Sequence, residues 1–169
     1  MTKILNDYTI TPNTMALIPA KEIEYETMVV EQDKWIPVKR TAIELIRSSC
    51  QDYLCTYEGR RNAVINRTGF KKKVPIPLYP ELNLYIFPSH SIKDQECHWF
   101  LYHSILDIKK DYASTSPEQH SIITFMNGTQ HRMEVTRYIL QKQMKRTLTC
   151  IKGLQTIMET ITGTDSIIH

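Results

Sequence analysis

Over residues 8–36, short apolar runs between polar and turn-forming residues make the pattern of strands. Tyr8-Thr9-Ile10, Met15-Ala16-Leu17-Ile18 and Tyr25-Glu26-Thr27-Met28-Val29-Val30 are β-branched or aromatic runs set between Pro12-Asn13, Pro19 and Gln32-Asp33, which predicts a meander ended by Trp35-Ile36-Pro37. Glu22, Glu24 and Glu26 alternate with Ile23, Tyr25 and Thr27, so one face of that segment is expected to be wet and acidic.

At Thr41 the period changes. Ala42, Leu45, Ile46, Ser49, Cys50 and Tyr53 recur at helical spacing, and Thr41 or Arg40 stands where the helix would start. Cys50 falls on the buried side and is read as a small core residue. A second helix is predicted from about Tyr57, continuing through Asn62-Ala63-Val64-Ile65-Asn66-Arg67 and stopping at Gly69; Gly59 is the one residue that argues against it. Pro75, Pro77 and Pro80 then force extended backbone, and Leu84-Tyr85-Ile86-Phe87 reads as a short buried strand closed by Pro88.

His98 to Ile108 continues as one strand-like run, after the loop from His90 to Gln95. Ile122-Ile123-Thr124-Phe125 and Arg132-Met133-Glu134-Val135 flank Asn127-Gly128, the turn of a β-hairpin. From Thr136 a long helix is predicted, with Leu140, Met144, Leu148, Ile151, Leu154, Met158 and Ile161 as its apolar stripe and Gly153 as a bend or end. The expected class is α+β: antiparallel strands, a central helical pair and a long C-terminal helix. With 169 residues, 41% of them hydrophobic, the chain reads as one domain over 1–169, of which 162–169 is expected to be a flexible tail.

Charge changes this picture from a fold into a candidate function. The net formal charge is only +3, but residues 37–73 carry nine Lys and Arg against three Asp and Glu, and both flanking segments are acidic. Arg60, Arg61, Arg67, Lys71, Lys72 and Lys73 follow one another with no acid between them, and so many uncompensated cations repel one another unless an anion arrives. On a helix, Arg60 and Arg67 lie about 10 Å apart on one face, a spacing that suits neighbouring phosphates. Lys142, Lys145, Arg146 and Lys152 make a second basic face on the long helix, again without an acid from Arg137 to Lys152.

The four cysteines form no CxxC pair, which fits reduced thiols in the cytosol. No run approaches the ~20 apolar residues of a membrane span, and no signal segment is read at the start, so a cytoplasmic location is expected. The chain carries no HExxH, no GxSxG and no Gly-rich phosphate loop, and neither an enzyme nor a cofactor is expected.

Ser49-Cys50, Tyr57-x-Gly59-Arg60-Arg61, Lys73-x-Pro75-Ile76, Ile86-Phe87-Pro88, Cys97-x-Trp99 with His103, and Ile123-Thr124-Phe125-x-Asn127-Gly128 occur in this order and at these intervals. The set resembles the competence transcription factor ComK family of Gram-positive bacteria, from about Thr41 to Thr147. The N-terminal strands match loosely, and the chain ends soon after Ile161, short of the family's longer tail. The resemblance implies an activator of DNA-uptake genes that binds AT-rich promoter boxes mainly through the minor groove. It also implies dimers that associate on paired boxes, RNA polymerase as a partner, an adaptor that delivers the protein to a Clp protease, and a place on the nucleoid.

Residue roles come from charge and spacing alone. Arg60 and Arg61 are the candidates for minor-groove insertion, because narrow A-tracts concentrate negative potential. Lys71, Lys72 and Lys73 suit phosphate contacts, Arg67 extends the same face, Asn62 and Asn66 are candidates for base or sugar edges, and Lys142, Lys145 and Arg146 would flank the duplex. Two other readings remain open. Tyr53, Tyr57 and Phe70 interleave with the basic window and could stack on unpaired bases of RNA or single strands. Cys50, Cys55, Cys97 and His98 could supply four ligands to a structural zinc.

Overall fold

The computed structural model of the chain describes residues 3–167. A six-stranded sheet has the order β3-β2-β1-β6-β5-β4, where β1 is Thr14–Pro19, β2 Thr27–Glu31, β3 Trp35–Val38, β4 Ile76–Tyr79, β5 Leu84–Pro88 and β6 Trp99–Leu101. A smaller sheet joins β7 (Ile105–Lys110), β8 (Ser121–Phe125) and β9 (Gln130–Met133) in that order. Every strand pairing within the sheets is antiparallel. Helices α1 (Ala42–Asp52) and α2 (Tyr57–Thr68) lie between β3 and β4 in the chain, and α3 (Arg137–Ile167) follows β9.

Strand alternation places the large sheet between two cores. Leu17, Val29, Ile86 and Trp99 pack with Leu45, Ile46 and Cys50 of α1 and with Tyr57 and Val64 of α2. Their sequence neighbours Ala16, Val30, Phe87 and Phe100 point the other way, against Ile105, Ile108, Ile123 and Phe125 of the small sheet and Leu140 of α3. Strands buried on both faces read as continuous apolar runs, which is why all of Leu84–Pro88 is buried. Burial of apolar surface stabilises the fold by about 25 cal/mol per Å², and the buried hydrophobic side chains gather in these two layers.

Three local readings are revised. Tyr8 to Ile10 is not a strand: the Ile10 N–H donates to Ser49 Oγ (3.0 Å) and its carbonyl accepts from Tyr53 Oη (2.6 Å), so α1 side chains satisfy backbone groups that a neighbouring strand would otherwise meet. Likewise β2 begins at Thr27, and Glu22, Glu24 and Glu26 lie on exposed irregular chain rather than on a strand face. The run from His98 to Ile108 breaks at a short 3₁₀ turn, Tyr102–Ser104, because the chain changes sheets there; Ser104 Oγ donates toward the Leu101 carbonyl (2.6 Å) and the Met15 carbonyl (3.1 Å). The β8–β9 hairpin turns at Asn127-Gly128 as expected; there only Gly128 is left-handed (φ +87°), and its N–H donates to the Phe125 carbonyl, the pattern of a type I turn closed by a glycine bulge.

The helices follow the capping rules closely. Thr41 and Glu44 form a reciprocal capping box at the start of α1. Thr56 caps α2 by accepting the Gly59 N–H (3.0 Å), and a Cβ at position 59 would lie 2.8 Å from that Thr56 oxygen, which explains a glycine in the first turn. Helix α3 passes straight through Gly153 to Ile167; of the segment 162–169 expected to be a flexible tail, 168–169 lie outside the described residues. Its stripe also differs from the predicted one. Leu140 and Ile151 are buried, but Met158 and Ile161 are 53% and 62% exposed, and Gln143 and Thr147 take buried positions instead. Among the described residues, no helix is long and apolar enough to cross a membrane.

Candidate nucleic-acid interface

Helix α2 commits little of its surface to the core. Only Tyr57 and Val64 are buried, while Asn62, Asn66 and Arg67 are exposed and Arg60 and Arg61 half-buried. Gly69 ends the helix in the left-handed region (φ +78°), its N–H on the Ile65 carbonyl at 2.8 Å. The loop that follows exposes Lys71 and Lys72, and Lys73 is itself left-handed (φ +49°). Arg61 Nη2 donates to the Lys71 carbonyl (3.3 Å), tying the side of α2 to this loop.

The middle of α3 meets the same loop. Lys142 and Lys145 are exposed, whereas Arg146 is half-buried, with its guanidinium 4.3 Å from the centre of the Phe70 ring. Arg146 donates to the Lys72 carbonyl (2.8 Å) and the Lys73 carbonyl (3.2 Å). Two basic segments separated in the sequence thus become one patch. The Lys73 ammonium is held below the usual lysine range by its burial first, and then by the positive charges of Arg146 and Lys142. Among the described residues, none of Arg60, Arg61, Arg67, Lys71, Lys72, Lys73, Lys142, Lys145 and Arg146 stands at salt-bridge distance from a carboxylate. Lys21, Lys34, Arg40, Arg47, Lys109, Lys110 and Arg132 all do.

The geometry separates two residues that the sequence reading grouped. Successive residues on a helix point about 100° apart. Arg60 enters a groove of about 330 Å³ between α2 and α3, beside Val64, Pro77, Cys150 and Leu154, and its Nε is buried without a hydrogen-bond partner. Arg61 instead lines a cleft of about 740 Å³ together with Lys71, Lys72, Lys73, His90 and Lys93; Asp94 and Glu134 also line it. Arg60 and Arg61, both candidates for minor-groove insertion, thus have different surroundings: Arg60 shares its largely apolar groove with Arg67, and Arg61 shares its cleft with four lysines. Lys93 was not among the expected cations, since Asp94 and Glu96 mask it in the sequence. Gln143 was missed as well, although a polar residue inside an apolar helical stripe, three positions after Leu140, is a visible signal.

The other candidate chemistries find little support. Tyr53 stacks on Tyr79 at 4.6 Å, Tyr57 is buried beneath Arg47, and Phe70 lies under Arg146, so each ring proposed as a stacking platform already has an intramolecular partner. Among the described residues, no three His, Cys, Asp or Glu side chains gather closely enough to hold a metal, which removes the proposed set of Cys50, Cys55, Cys97 and His98. Burial pushes the Cys50 thiol up to about 12 and the Cys97 thiol up to about 11, and Cys97 Sγ donates to the His90 carbonyl at 3.3 Å.

Comparison with known proteins agrees with the likeness in the sequence. The ComK protein family matches residues 5–159. A competence transcription factor of Bacillus subtilis (strain 168) is 23% identical over 145 residues, which cover 85% of this chain and 72% of that protein. No solved structure matches. A family match that spans both sheets, α1, α2 and most of α3 places the chain in the ComK family.

Proposed function

We propose that this protein is a competence transcription factor that binds duplex DNA through α2, the 69–73 loop and the middle of α3, and activates genes for DNA uptake. The observation that carries the reading is the clustering on these three elements of nine cations that, among the described residues, have no carboxylate partner, whereas seven of the arginines and lysines elsewhere are paired. Phosphates would neutralise that patch and release condensed counterions, so binding is expected to weaken steeply with salt. Lys71, Lys72, Lys142 and Lys145, exposed and flexible, serve as phosphate contacts that fix position. Arg61 and Arg67 are the better readers of a narrow, electronegative minor groove, Asn62 and Asn66 follow on the exposed face of α2, and the Arg60 side chain is largely committed to the groove beside α3.

Membership in the family supports AT-rich boxes as the target, a homodimer or dimer of dimers on paired boxes, RNA polymerase as the downstream partner and a Clp-protease adaptor for turnover, with the protein acting at the nucleoid. Competition among AT-rich duplex, GC-rich duplex and single strands of equal length, at one fixed salt concentration, tests the central claim. AT-rich duplex should win, and Arg61→Ala should erode that preference by several-fold more than Arg60→Ala, since losing a groove contact costs about 1–3 kcal/mol. A win for single strands would end the promoter-binding reading.

A further inference from the structure

We propose that Gln143 and Arg146 of α3 are positioning residues: they hold the loop at 70–73 in the one shape that presents Lys71 and Lys72 to phosphate, and Arg146 is not itself a phosphate contact. This rests on the duplex-DNA reading above. A lysine in the left-handed region is strained by about 1–2 kcal/mol, and such a conformation persists only where its surroundings over-determine it. Around Lys73 they do. Its carbonyl accepts from Gln143 Nε2 at 2.9 Å and from Arg146 Nη1 at 3.2 Å, and the Lys72 carbonyl accepts from Arg146 Nη2 at 2.8 Å.

The two donors are themselves fixed. Gln143 is 1% exposed; its Nε2 also donates to the Pro88 carbonyl of β5 at 2.8 Å, and its Oε1 accepts from Arg146 Nη1 at 2.6 Å. Residues 70–73 are thereby connected through one amide side chain to the fully buried strand β5 of the central sheet. Phe70 covers one face of the Arg146 guanidinium. With one face covered and three of its five N–H hydrogens, both of those on Nη1 among them, directed at protein oxygens, that guanidinium is committed first to the loop. The planar fork is what the arrangement uses, and an ammonium on a flexible stem cannot reproduce it.

Three variants separate positioning from contact. Arg146→Lys keeps the charge and loses the fork, Arg146→Met loses both, and Gln143→Met changes no charge at a position that DNA cannot reach. Tryptic cleavage after Lys71, Lys72 and Lys73 in the DNA-free protein reports the loop, and thermal melting confirms that each variant is folded. The expected result is faster loop cleavage in all three, a loss of duplex affinity of roughly tenfold in both Arg146 variants alike, and a comparable loss in Gln143→Met. Wild-type affinity in Arg146→Lys beside a loss in Arg146→Met would make Arg146 a direct phosphate contact and overturn the proposal, as would an unchanged cleavage rate in folded variants. If the wild-type protein fails to bind duplex DNA, the function proposed above falls, whereas faster cleavage in the variants would still establish the strut and unchanged cleavage would still refute it.

Discussion

Helices α1 and α2 are consecutive, of nearly equal length at 11 and 12 residues, each capped by a threonine and packed against the same core, yet they treat arginine in opposite ways. Arg40 at the start of α1 reaches Asp7 (3.2 Å) and Glu44 (3.7 Å), and Arg47 reaches Glu58 (2.9 Å). Among the described residues, Arg60, Arg61 and Arg67 on α2 reach no carboxylate, and α2 buries two residues where α1 buries four. A helix that buries little and leaves its cations unpaired adds less to the fold than its neighbour does. The difference teaches that the number of arginines says little about function, whereas the partners withheld from them say a good deal.

The largest effect expected from this contrast comes from changing Lys71, Lys72 and Lys73 together to Gln. Affinity for every duplex should fall at least tenfold, and the dependence of binding on salt should flatten by about 0.9 for each phosphate contact removed, read from titrations at several salt concentrations. The fold should not suffer. Backbone carbonyls, not lysine side chains, receive the bonds from Gln143 and Arg146, and burial already disfavours the charged form of Lys73. Unchanged binding in a folded variant would erase the distinction between α2 with its loop and the rest of the surface.

How much of this was legible in the sequence depends on the range of the interaction. The strands β1, β2 and β5, the stripe of α1, the Gly69 stop and the Asn127-Gly128 turn are encoded by neighbours within a few residues, and they were readable. Sheet order was not, because nothing local says that Leu17 pairs with Trp99. The stripe of α3 misled for the same reason. Composition favoured Met158 and Ile161 as core residues, but the helix touches the two cores only along its first half, and there it spends Gln143 on carbonyls far away in the chain. Arg146 looked like any other cation near Lys142 and Lys145, and only the fold reveals its acceptors at Lys72 and Lys73.

Acid offers a second way to separate the folded body from the basic surface. His131 of β9 and His98, just before β6, face each other with ring centres 5.2 Å apart. Burial, and secondarily the neighbouring His98, lower the His131 pKa to about 4, and its Nε2 is buried without a hydrogen-bond partner. The unfolded chain takes up this proton near pH 6.5 but the folded chain only near pH 4. Stability is therefore complete above about 6.5 and declines as pH falls toward about 4. Denaturant midpoints measured across this window should drop in the wild type and drop less in His131→Leu; parallel curves would place the acid sensitivity elsewhere. Lysines and arginines keep their charge throughout, so any loss of DNA binding in this window should track unfolding.

The smallest effect is the control on which the comparison of the two helices depends. Arg47→Ala removes the 2.9 Å bond to Glu58, a link from α1 to the first turn of α2, and uncovers the Tyr57 ring 5.3 Å beneath the guanidinium. Both charges are largely in water, with side chains 47% and 61% exposed, so the pair is worth under about 1 kcal/mol and salt weakens it further. Thermal melting should shift by a few degrees at most, and duplex affinity should stay within about twofold of the wild type, because a cation already satisfied by a carboxylate has little to give a phosphate. A tenfold loss of affinity would mean that the basic surface extends across α1 and that ion pairing does not mark its boundary. A small shift in melting with DNA binding intact would place the boundary of the polyanion surface between the paired Arg47 of α1 and the unpaired arginines of α2.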